Sequence, residues 1–196
     1  MPGVIENYQM LIGAQWVDAC DGEWIDVENP AKKAVFARVP RAKKADVDLA
    51  VAAARHAYRT WSKVAAAERG KMLHNIANEL EGLIEDLART ISLENGNALR
   101  TQSRGEARVA VDFVRYVAGL SREIKGNTVY LSSDNLDYTR REPYGVVGAI
   151  VPWNAPLLLA ALKIAPAIMT GNTIVLKASE EAPIAVQKLV RVFSNH

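Results

Sequence analysis

The sequence predicts an α/β fold: an N-terminal β meander, several helices, a protruding β-hairpin and the first β-α-β-α unit of a parallel sheet. Two observations lead to it. Residues 145–180 run as an apolar strand, a polar turn, an apolar helix, a second strand and a second polar turn. Upstream, apolar periodicity switches near residue 46 from short β-prone runs to helical stripes.

The elements follow in chain order. Tyr8 to Ile12, Trp16-Val17, Trp24 to Val27 and Val35 to Val39 are β-prone and are separated by Gly13, Asp21-Gly22 and Asn29-Pro30. From Asp46, the residues Val47, Ala50, Val51, Ala54, Tyr58 and Trp61 recur on one helix face. Leu73, Ile76, Ala77 and Leu80 form another face, and Leu83, Ile84, Leu87 and Ile91 continue it past a bend near Gly82 to Asn95-Gly96. Ala110, Phe113, Val114, Val117 and Leu120 mark a further helix. All these stripes are expected to pack a core. Thr128 to Leu131 and Leu136 to Arg141 then predict a two-stranded ribbon joined through Ser132 to Asn135.

Val146 to Val151, opened by a glycine and closed by Pro152, suits a strand covered on both faces. Pro156 fits the first turn of a helix whose body, Leu157 to Met169, is apolar on nearly every side. Gly171-Asn172 should end that helix through a left-handed cap. Thr173 to Leu176 reads as a strand and Pro183 to Phe193 as the helix after it. Strands joined by such a crossover are parallel, and ligands gather outside their carboxyl ends. Trp153-Asn154 and Lys177 to Glu180 fall there.

Pro152-Trp153-Asn154, Lys163-Ile164-Ala165-Pro166-Ala167, Gly171-Asn172-Thr173 and Lys177-Ala178-Ser179-Glu180 occur in one frame. This set resembles the first half of the Rossmann-like cofactor domain of the NAD(P)-dependent aldehyde dehydrogenases, and the resemblance extends from the meander to about Val190. It implies that residues 1–196 are a partial NAD-binding domain and that the hairpin at 124–142 pairs with a neighbouring subunit, making a homo-oligomer. Asn154 resembles the asparagine whose side-chain N–H stabilises the oxyanion formed when a thiolate attacks an aldehyde, a donor worth roughly 3–4 kcal/mol in the transition state. Lys163 resembles a helix lysine sometimes assigned a charge-relay role in relatives, although an ordinary structural ion pair is the role expected of it here.

The same resemblance has Ile150, Val151, Pro152 and Trp153 line the cofactor cleft. Lys177, Ala178, Ser179 and Glu180 form the adenosine-ribose loop, with Lys177 and Glu180 bonding the hydroxyls. A carboxylate there suits a free 2′-hydroxyl and repels a 2′-phosphate, which favours NAD over NADP. The ammonium of Lys177 could also serve a phosphate. Ala178 stands where the family usually has proline, which loosens the loop without removing a functional group. Taken alone, Lys-x-Ser-Glu would be a helix N-terminus capped by Ser179.

Other functions find little support. The formal net charge is +2, with 23% charged residues of both signs interspersed, which gives no footprint for nucleic acid. Cys20, the single cysteine, sits in an acidic turn that should hold it as a thiol, and His56, His74 and His196 lack ligand spacing, so no metal is expected. No run is apolar and long enough to cross a bilayer, and the start of the chain lacks a signal pattern, so a cytoplasmic location is the default expectation. The family's nucleophilic cysteine, its water-activating glutamate and its glycine-rich pyrophosphate turn have no counterparts in these 196 residues. The chain therefore reads as the N-terminal part of an aldehyde-oxidising enzyme, inactive alone. The alternative is a non-catalytic product that pairs with a related subunit through the hairpin.

Overall fold

The structure, a computed structural model, describes residues 5–196. The first four residues of the 1–196 span lie outside the described part. Among the described residues, nine strands and six α-helices follow one another, and the α/β class holds.

The N-terminal strands divide between two small sheets. Strand β1 (Glu6–Asn7) pairs parallel with β5 (Ala34–Pro40), which pairs antiparallel with β4 (Trp24–Asn29). Between them, β2 (Met10–Ile12) and β3 (Gln15–Val17) form a separate hairpin around Gly13. A continuous meander is thus replaced by a return of the chain's start to the far edge of β5. The physical reason is the backbone bond from Tyr8 N–H to the Arg38 carbonyl, 2.9 Å, which extends the parallel pairing.

Five helices build the main core. Helix α2 (Ala66–Gly82) and α3 (Ile84–Asn95) meet at Leu83, where the sequence predicts a bend, and α4 (Arg104–Gly119) packs across both. Leu73, Leu80, Leu87, Ile91, Val111 and Val114 are buried there with Leu157 and Leu189. Fully burying side chains of this size stabilises by about 1.5–3 kcal/mol each. Helix α1 (Lys44–Trp61) departs from its expected role: Val47 is 48% exposed, and the rest of its stripe is half-buried. It packs over the parallel strands and lies outside the main core; the Thr173 hydroxyl donates to the Ala54 carbonyl at 2.9 Å.

The ribbon of β6 (Thr128–Ser132) and β7 (Asn135–Tyr138) protrudes, with only Ser132 half-buried. Strand β7 stops at Tyr138, short of the expected Arg141, because the last ladder bond is from Thr139 N–H to the Asn127 carbonyl.

Strand β8 (Val146–Ile150) pairs parallel with β9 (Thr173–Lys177), connected by α5 (Pro156–Met169) and followed by α6 (Ile184–Ser194). Pro156 opens α5, and Gly171 at φ 86° ends it with Asn172 N–H returning to the Ala167 carbonyl. Arg69, buried, adds a side-chain cap by donating to the Met169 carbonyl, and it also donates to the Val64 carbonyl just before α2. Register Ile150 to Lys177 brings the carboxyl ends of both strands level.

Candidate functional site

The two loops at those carboxyl ends are joined directly. Val151 N–H donates to the Lys177 carbonyl at 3.1 Å, so the turn after β8 and the loop after β9 leave the sheet side by side. The parallel register thereby brings the 150–154 and 177–180 groups of the expected site together. Val151 is buried and holds the turn to the sheet, whereas Ile150 and Trp153 are 78% and 54% exposed. Pro152 and Asn154 are exposed too. An apolar wall that faces open space is available for a flat ligand.

In the second loop, the Lys177 ammonium pairs with the Glu180 carboxylate at 2.5 Å. That contact, assisted by the backbone, holds the Glu180 carboxyl below the usual carboxylate range, so it is an anion at neutral pH. Both side chains are more than half exposed. Paired oxygens and ammonium protons presented together can accept from and donate to vicinal hydroxyls. Ala178 is half-buried against the main core. Ser179 is buried, but its hydroxyl accepts from Glu181 N–H at 3.3 Å and closes a local turn. The cap of α6 comes from elsewhere: the buried Glu94 carboxylate accepts from Ile184 and Ala185 N–H at 2.5 and 3.0 Å. Burial pushes the Glu94 carboxyl up to about 8 against the pull of those two amides.

The Asn154 turn is also held by residues that sequence reasoning missed. Asn95 and Asn97 donate through their amide groups to the Trp153 and Asn154 carbonyls, both at 3.2 Å. Glu106 Oε1 accepts from Leu157 and Leu158 N–H, capping α5. Burial raises the Glu106 carboxyl, partly offset by the two amides. The one available signal was the polar Asn95-Gly96-Asn97 run, which reads locally as a helix stop.

Lys163 is apart from this cluster. It is exposed, lines an open groove of about 480 Å³ beside Val147 to Ile150, and has no carboxylate within ion-pair distance among the described residues. The expected ion pair of Lys163 is therefore absent among the described residues. Cys20 is exposed and its thiol is raised by the Asp46 carboxylate, the opposite of an activated nucleophile. Among the described residues, no cluster of His, Cys, Asp or Glu could hold a metal, and no helix is long and apolar enough to cross a membrane.

The fold is of the α/β class, and its two-stranded parallel β-α-β-α unit carries an exposed asparagine and a Lys-Glu pair at its carboxyl ends. Comparison with known proteins gives that class its family. The sequence pattern described as the aldehyde dehydrogenase family matches residues 16–196. Acetaldehyde dehydrogenase 2 of Cupriavidus necator is 37% identical over 190 residues, 97% of this chain and 38% of that protein. An aldehyde dehydrogenase of Vibrio cholerae is 39% identical over 98% of this chain and 37% of its own length. Among solved structures, the NAD+ complex of a Bacillus cereus aldehyde dehydrogenase superposes with a TM-score of 0.94 at 37% identity, covering 97% of this chain and 39% of that one. An NADP-dependent enzyme of E. coli superposes with a TM-score of 0.93 at 33% identity over 97% of this chain and 40% of its own. The chain belongs to the aldehyde dehydrogenase family and spans a little under two-fifths of the length of these relatives.

Proposed function

We propose that this chain supplies the oxyanion donor and the adenosine-ribose site of an NAD-dependent aldehyde dehydrogenase, which converts an aldehyde to a carboxylic acid. The observation that carries the reading is the bond between Val151 and Lys177, which sets Asn154 and the Lys177–Glu180 pair on adjoining loops. NAD, when bound, accepts the hydride. Glu180, held ionised, accepts from ribose hydroxyls; Lys177 donates to them and keeps the carboxylate in place. Ile150, Pro152 and Trp153 offer the apolar wall along which the cofactor lies, Val151 holds that turn to the sheet, and Ala178 and Ser179 shape the loop. Asn154 donates its side-chain N–H to the carbonyl oxygen of an aldehyde as negative charge develops there. The attacking thiolate and the base that activates water come from no residue in this sequence. Lys163, exposed along the open groove, serves as a charge-relay residue. A cytoplasmic setting fits a protein with a single, free cysteine.

Cofactor selectivity tests the ribose site. NAD should bind more tightly than NADP, and Glu180→Gln should narrow that ratio about tenfold by removing a charge that opposes a 2′-phosphate. Equal affinities for both cofactors in the parent chain would contradict the assignment.

The hairpin favours a second role for the same chain, pairing with a copy of itself or a related subunit. Tyr130, Leu131, Leu136 and Tyr138 are each at least 63% exposed on a ribbon that has little core of its own. Sedimentation equilibrium should show association that Leu136→Asp weakens. A parent chain that stays monomeric at micromolar concentration, alone and with a full-length relative, would count against it.

A further inference from the structure

The turn that carries Asn154 does not hold itself. Ala155, at the N-cap position of α5, has no side-chain acceptor, and the Asn154 carboxamide has no hydrogen-bond partner among the described residues. The peptide carbonyls before and after Asn154 are tied by Asn95 and Asn97, and the helix start that follows is tied by Glu106 through Leu157 and Leu158. All four bonds come from one continuous stretch between the end of α3 and the start of α4.

We propose that Asn95, Asn97 and Glu106 are positioning residues for Asn154, clamping the peptide groups on both sides of it so that its carboxamide alone remains free to meet a developing oxyanion. The inference rests on the oxyanion reading of Asn154. Two features of the stretch suit it to that task. First, it is internally locked. Asn97 N–H donates to Asn95 Oδ1 at 2.9 Å, Ala98 N–H donates to Gln102 Oε1 at 3.1 Å, and the wholly buried Ser103 donates its hydroxyl to the Asn97 carbonyl at 3.4 Å. Second, it contains a π-helical turn at Leu99–Ser103 between Gly96, at φ 78°, and α4. Such turns interrupt regular helix hydrogen bonding and are concentrated at functional sites. The π turn offsets α4 from α3, and Glu106 in the first turn of α4 meets the start of α5 while Asn95 and Asn97 meet the turn before it. Oxyanion stabilisation depends on donors fixed before charge develops, so a loosely held asparagine would lose most of its value.

The experiment is amide exchange and side-chain NMR on the 196-residue chain with Glu106→Ala, Glu106→Gln and Asn97→Ala, the Asn154 carboxamide signal being assigned with Asn154→Asp. In Glu106→Ala, exchange at Leu157 and Leu158 should speed up about tenfold while core amides of α4 keep their parent rates. Glu106→Gln keeps a carbonyl acceptor and should return both amides to within about threefold of the parent. Asn97→Ala should shift and broaden the Asn154 carboxamide signals. Unchanged Leu157 and Leu158 exchange in Glu106→Ala, no rescue by Gln, or an Asn154 signal indifferent to Asn97→Ala would each overturn the proposal. Because no substrate enters these readouts, they are separate from the oxyanion reading, which fails instead if Asn154→Ala leaves turnover unchanged in a full-length relative carrying residues 1–196.

Discussion

Glu94→Gln isolates a buried acid whose ionisation should cost stability. The parent carboxyl is 3% exposed and caps α6 through Ile184 and Ala185. Its value rises from 4.5 in the unfolded chain to about 8 in the folded one, chiefly through burial; Glu106 adds to the rise and Lys188 opposes it. Between those limits the folded chain holds about one proton more than the unfolded chain. Its contribution is therefore fully present below about pH 4.5 and is lost as pH rises through about 8. The slope is roughly 1 kcal/mol per pH unit, or on the order of 3–4 kcal/mol across the window. Glutamine occupies nearly the same volume, can accept one amide and does not titrate. Urea unfolding at several pH values between about 5 and 8 should show the variant gaining on the parent as pH rises, since titrating groups that do not interact with Glu94 cancel in the difference. Parallel curves, or a parent that gains on the variant, would refute the reasoning and show that the helix amides outweigh burial.

Two further outcomes follow from the same geometry. Gly96→Ala should lower stability by about 1–2 kcal/mol in thermal unfolding, because Gly96 has φ 78° and an added Cβ would lie 3.2 Å from Pro30 Cγ. Arg104→Met should let the Glu85 carboxyl rise from about 2 toward its ordinary 4.5, followed by carboxyl-carbon NMR. The Glu85 contribution is present above the unfolded value and lost as pH falls toward about 2, and Arg89, 2.9 Å away, should preserve part of it.

The parallel unit was legible because its signals are local. A glycine and a proline bound β8, Pro156 opens α5 and Gly171 closes it, so the positions of Asn154 and Lys177 followed from segment order alone. The bend between α2 and α3 was legible for the same reason. Pairings across the chain were not. Nothing near Glu6 announces that it will join β5 in parallel, and α1 shows a regular apolar stripe although Val47 stays half exposed. The cap of α6 was not legible, because Ser179 offers only a local acceptor and the buried carboxylate that does the capping lies 90 residues earlier. Asn97 and Glu106 were missed likewise. Their partners are 57 and 51 residues away, and a polar side chain beside a helix end carries no sign of which distant backbone it will meet.

The central claim, that the loops after β8 and β9 form a nucleotide site, is tested most directly by titrating NAD into the isotopically labelled chain and mapping amide shifts. The account predicts weak saturable binding, with Kd about 1 mM and thus about −4 kcal/mol. Its shifts should be confined to residues 150–154 and 177–180 and be abolished by Glu180→Ala. Shifts centred elsewhere, or shifts at those residues that persist undiminished in Glu180→Ala, would contradict it.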